Sequence, residues 1–127
     1  MTDRNLNFKN DALTIVVLQS DDRATIRWMG ESDARNPGEF LNPIFSQLVK
    51  ELQGLPIAVD FSALEYMNSA TVSPLITCVK SFDGAGSAVQ VIFSDVDWQR
   101  THVQCMRTIA RTLKHVTIEV RPARKGG

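Results

Sequence analysis

The sequence is poor in residues that carry out chemistry. It holds two cysteines and two histidines. Cys78 and Cys105 each fall in a stretch with helical patterning. They are read as buried thiols acting as small apolar side chains, the alternative being a disulfide or redox pair. His102 and His115 stand far apart with no companion at ligand spacing, so no metal site is expected. An excess of either charge is also missing, because Lys and Arg number 14 and Asp and Glu number 14. Nucleic-acid binders commonly carry a basic surplus or stripe. The basic cluster Arg121, Arg124 and Lys125 is too short for that, and no nucleic-acid partner is expected. No run of about 18 apolar residues occurs, so no direct membrane insertion is expected. Residues 1–5 lack the hydrophobic stretch of a signal peptide, and a cytoplasmic location is expected.

Catalytic signatures are absent as well. There is no phosphate-binding Gly-Lys-Ser/Thr loop and no Gly-x-Ser-x-Gly elbow. Asp83-Gly84-Ala85-Gly86-Ser87 contains Gly-x-Gly, but it follows a helical pattern and precedes a strand pattern. That is the reverse of the dinucleotide-binding context, and the segment reads as a helix exit. The carboxylate pairs Asp21-Asp22 and Asp95/Asp97 sit in a turn and at a helix start, where acidic residues have structural reasons to be. No catalytic residue and no cofactor are expected, and the chain is not read as an enzyme.

What is present is the makeup of an ordinary globular protein, 43% hydrophobic and 22% charged over 127 residues. One domain over residues 1–127 is expected, with its core in about residues 11–120 and a short basic tail. Residues 1–10 are polar and read as loosely held. Residues 13–19 form a β-branched run. Residues 24–29 alternate, with Ile26 and Trp28 on one face and Thr25 and Arg27 on the other. Together they predict a hairpin. A helix follows, with Phe40, Ile44, Phe45, Leu48, Val49 and Leu52 at helical spacing. Its start is signalled twice, by Asn36-Pro37 and by Asn42-Pro43. Residues 57–61 read as a buried strand, 88–93 as the next and 116–120 as the last. A second helix runs to about Ser81, starting at Ser69 or at Ser73-Pro74. A third is capped by residues 94–97 and carries the stripe Trp98, His102, Cys105, Met106, Ile109, Ala110 and Leu113, with His102 read as half-buried and satisfied. The order is β-β-α-β-α-β-α-β. It predicts an α/β fold, a mixed sheet with an initial hairpin and later parallel strands. The predicted core includes Ile15, Val17, Ile26, Trp28, Val59, Val89, Val91 and Ile118.

The chain is organised around residues 57–72. An apolar strand ending at Asp60 leads into a polar loop with the hydroxyls of Ser69, Thr71 and Ser73, and then into a helix. In open α/β sheets, partners and ligands gather at the carboxyl ends of strands. No His, Lys, Arg or Cys adjoins these hydroxyls, so the loop reads as a site that is acted upon.

Val59-Asp60-Phe61-Ser62 followed by Tyr66-Met67-Asn68-Ser69-Ala70 resembles the pattern of STAS domains, bacterial anti-sigma factor antagonists in particular. Met29-Gly30-Glu31-Ser32-Asp33 resembles that family's Gly-Glu-x-Asp loop. Asn68, Ala70 and Thr71 stand where the family usually has Asp, a second hydroxyl residue and Gly. The resemblance covers about residues 11–120. It implies a STAS-like fold without catalysis and phosphorylation of Ser69, with Thr71 and Ser73 as fallback acceptors. It also implies a partner-binding surface formed by Glu31, Ser32, Asp33, Glu65, Tyr66, Met67, Asn68, Ser69, Ala70 and Thr71. The implied partners are a serine kinase doubling as anti-sigma factor, bound by the unphosphorylated form, and a serine phosphatase. The alternative is an unphosphorylated STAS subunit of a larger complex, in biofilm or cyclic-dinucleotide signalling or in lipid transport. The protein is expected to be a monomer or weak dimer.

Overall fold

The computed structural model describes residues 4–122. Alternation of apolar and polar side chains shapes its first half. β1 (Arg4–Asn10), β2 (Leu13–Gln19) and β3 (Ala24–Ser32) pair antiparallel in sequence order. Leu13, Ile15 and Val17 of β2 are buried, as are Ala24, Ile26 and Trp28 of β3. Residues 4–10 are therefore a paired edge strand, a correction to the loosely held segment read from the sequence. Leu6 and Phe8 pack against the core while Asn5, Asn7 and Lys9 stay exposed, so strand pairing and apolar contact outweigh the polar composition. Asp11, at φ 53°, turns the chain from β1 into β2.

The second half alternates strand and helix. α1 (Gly38–Glu51), α2 (Val72–Gly84) and α3 (Asp97–Ala110) link β3, β4 (Ile57–Met67), β5 (Val89–Ser94) and β6 (Val116–Arg121). The last four strands are parallel, and the sheet order is β1-β2-β3-β4-β5-β6. Because consecutive strands are always neighbours, right-handed crossovers lay every helix on one face of the sheet. The core lies between that face and the helices. Trp28 contacts Phe45 of α1 and Phe61 of β4 at ring-centroid distances of 5.8 and 5.1 Å, and Phe61 stacks on Phe93 of β5 at 5.2 Å. Burying each such side chain contributes about 1.5–3 kcal/mol. Of the predicted core residues, Ile118 is half-buried and the rest are buried. None of the described helices is long and apolar enough to cross a membrane.

Helix starts differ from their sequence signals in instructive ways. α1 begins directly after Pro37, and Asn36 Nδ2 donates to Glu39 Oε1 at 3.1 Å. Pro43 sits inside the helix on its exposed side, where its missing N–H takes one hydrogen bond from the helix. α3 begins at Asp97 with no side-chain cap. Ser94 and Asp95, read as capping residues, serve instead as the end of β5 and as an ion-pair partner of Arg100. Cys78 is buried, and desolvation pushes its thiol pKa up. Cys105 is exposed, which corrects the expectation of two buried thiols: it lies on the side of α3 away from Gln99, Val103 and Met106.

Candidate functional site

β4 is longer than the apolar run at its start, and its extension builds the site. Its register against β3 shifts twice. Arg27 faces Asp60 but Met29 faces Ala63, and Gly30 faces Leu64 but Glu31 faces Tyr66. Each shift is a bulge with one extra residue in β4, which bends the strand and re-aims its side chains. Asp60 stabilises the first: its Oδ1 accepts the Ser62 N–H at 2.8 Å, and its Oδ2 lies 3.6 Å from Arg27 Nε. The ladder between β4 and β5 ends at Asp60, and the β4 carbonyls beyond it take other partners. Gln99 of α3, fully buried, donates from Nε2 to the Phe61 and Leu64 carbonyls at 3.1 and 3.4 Å. Its Oε1 accepts the Ser94 N–H at 2.7 Å. Thus the stretch read as a polar loop is a paired strand up to Met67, and only residues 68–71 turn out of it.

Asn68 fastens that turn to the loop after β3. Its Oδ1 accepts the Thr71 N–H at 3.1 Å and the Thr71 hydroxyl at 2.7 Å, while its Nδ2 donates to the Ala34 carbonyl at 2.9 Å. The backbone N–H of Asn68 donates to the Ser32 carbonyl, and the Ser32 and Thr71 hydroxyls meet at 2.7 Å. Neither Ser69 nor Ser73 is the cap; Asn68 is, for the 3-10 turn Ser69–Thr71 that leads into α2. An amide suits this position because it accepts on one side and donates on the other, whereas a carboxylate only accepts.

The structure sorts the expected site residues into two groups. Glu31, Asp33, Glu65, Tyr66, Ser69 and Ala70 are exposed, and Asn68 is half-buried. Ser32, Met67 and Thr71 are buried and support the surface from below. Thr71, at 0% exposure with its hydroxyl doubly bonded, does not present an acceptor in this fold, a correction to its reading as a fallback. Ser73 is exposed one residue into α2. Two further residues join the surface unannounced. Trp98 lies 6.2 Å from Tyr66 between ring centroids, and His102 meets Trp98 edge-on at 5.9 Å. His102 donates to the Met67 backbone carbonyl, and partial burial holds its pKa below the usual histidine value. In the sequence these residues belong to the apolar stripe of α3, and only the register of β4 brings Tyr66 to them.

A mixed six-stranded sheet with three helices packed on it and a hydroxyl-bearing turn entering the second helix defines a STAS-type α/β fold. Solved structures of Pseudomonas aeruginosa proteins share it. A chain in the crystal structure of the diguanylate cyclase SiaD in complex with its activator SiaC is 14% identical, with a TM-score of 0.61, over 91% of this chain and 99% of that one. Apo-SiaC is 13% identical with a TM-score of 0.58, over 93% and 98%. A further SiaC structure is 13% identical with a TM-score of 0.60, over 94% and 98%. No family model matches the chain, and neither does any curated protein.

Proposed function

We propose that this protein is a non-catalytic regulatory subunit that binds a protein partner through the connection from β4 to α2, and that Ser69 is the residue whose phosphorylation switches the binding. The observation that carries the reading is the placement of Ser69. It is exposed on a turn at the amino end of α2, and Asn68 locks that turn to the loop after β3, next to Asp33 and to Glu31 at the end of the strand. A phosphate there adds about −1.5 to −2 charges near pH 7. The partial positive charge at the helix start tolerates it, so the modification alters the surface more than the fold. A partner seated over Ser69 then has to desolvate a dianion beside the exposed carboxylates, and it is released.

For the partner, the fold neighbours favour the reading as a subunit in cyclic-dinucleotide signalling, because SiaC is named there as activator of a diguanylate cyclase. The anti-sigma partner and its kinase have no comparable support among these neighbours. The test uses affinity capture from the source cells with wild type, Ser69→Ala and Ser69→Asp, with mass spectrometry of the Ser69 peptide. A nucleotide cyclase retained by wild type and Ser69→Ala and lost by Ser69→Asp is expected. Equal capture by all three proteins, or a phosphate found only elsewhere, ends the switch reading.

A further inference from the structure

Tyr66 is an exception on this surface. At 43% exposure it is the one large hydrophobic side chain among the described residues that stands exposed. It is not isolated, since its ring is backed by Trp98 and, behind that, by His102. A backed ring is already ordered, so a partner that covers it loses little further freedom. The charges adjoining it in sequence and across the ladder are mainly acidic. Glu65 precedes Tyr66, Glu31 faces it across the ladder, and Asp97 precedes Trp98, all exposed. Among residues within two positions of Tyr66, Trp98 or His102, the cation is Arg100, and it is already held by Asp95 and Asp97 at 2.8 and 2.9 Å.

An aromatic face inside an acidic rim is the counterpart of a guanidinium. Its plane stacks on the ring while its N–H groups pair with carboxylates. We propose that the Tyr66–Trp98–His102 face docks an arginine-bearing segment of a protein partner. The proposal rests on the reading of this end of the sheet as a protein-binding surface and adds the chemistry of what is bound. It also carries its own sign. Negative charge at Ser69 releases a partner seated on Ser69 itself, but strengthens the hold on arginine seated at Tyr66.

The two tryptophans allow a direct test, because Trp98 is half-exposed and Trp28 is fully buried. A short amphipathic arginine-rich peptide and its counterpart with every Arg replaced by Glu are titrated into the 15N-labelled protein. The arginine peptide is expected to shift the Trp98 indole N–H saturably and leave that of Trp28 in place. Tyr66→Ala should weaken it about two- to fivefold, with Tyr66→Phe binding like wild type. Glu65→Lys combined with Asp97→Lys should weaken it about tenfold, and added salt should weaken it progressively. Ser69→Asp should tighten it. Equal shifts with the Glu peptide, unchanged affinity for a folded Tyr66→Ala, or no saturable shift overturns the proposal. Each reading can fail alone: arginine binding at Tyr66 without modification of Ser69 removes only the switch, and a working switch without arginine binding removes only this site.

Discussion

Gln99 shows how a single side chain fixes the end of a strand. Its amide spans the last residue of β5 and two carbonyls of β4 beyond the point where the β4–β5 ladder ends. Leu at this position keeps much of the volume but removes three hydrogen bonds from a buried place. Leaving a buried polar group unpaired costs about 1–3 kcal/mol. Gln99→Leu is therefore expected to lose about 3 kcal/mol or more in urea denaturation, although by composition it makes the core more apolar. Stability equal to wild type would mean that these carbonyls find other partners. Nothing in the sequence marks Gln99 except that a polar residue shares a helical face with Val103 and Met106. Asn68, in contrast, stands in the candidate surface read from the sequence, but its role as cap and tie was not legible, because the Ala34 carbonyl it binds is fixed only by the tertiary fold.

At the scale of elements, the paired ends of β3 and β4 carry the site. Gly30, at φ 84°, lets β3 turn beside β2: a Cβ there would lie 2.0 Å from the Ala12 carbonyl oxygen. That carbonyl also accepts the Glu31 N–H at 3.1 Å. Gly30→Ala combines a left-handed strain with a backbone clash, each about 1–3 kcal/mol, and should lose about 2–6 kcal/mol in thermal or chemical unfolding. α3 holds the same end from the other side through His102 and Met67. The His102 pKa is lowered in the folded state from 6.5, so the unfolded chain binds more protons below that pH. Its contribution to stability is complete above about pH 6.5 and is lost as pH falls through the lowered folded value. Between pH 7.5 and 5.5, wild type should lose more stability than His102→Gln, measured by urea midpoint at each pH; parallel losses would remove His102 from the account. The sequence revealed both strands and the Gly-Glu motif but misjudged the extent of β4. Phe61, Leu64 and Met67 are buried at intervals of three, which bulges allow in a strand and which period-two reading does not recognise.

For the whole molecule, the consequence of the strand order is a sheet with helices on one face and with β1 and β6 as its edge strands among the described residues. The parallel half was readable because each strand, helix and turn signal came in sequence order and right-handed crossovers leave few alternatives. The first edge was not, because β1 has only Leu6 and Phe8 to bury and its remaining residues are polar. Such a strand is held by pairing to β2 on one side alone. β3 and β4, with 9 and 11 residues, lie at the centre and have neighbours on both sides. Free energies of local opening follow that difference, from low values at edges up to the global value in the central strands. Amide hydrogen exchange is therefore expected to proceed from β1 inward, with Val59 and Ile26 among the slowest amides. Phe8→Ala should speed exchange across β1 by about fivefold, since it removes about 1 kcal/mol of partial apolar burial, while leaving the slowest amides of β4 less affected. If β1 and β4 instead exchange at one rate, and Phe8→Ala accelerates both equally, the sheet opens as a single unit and its edge is as firmly held as its centre.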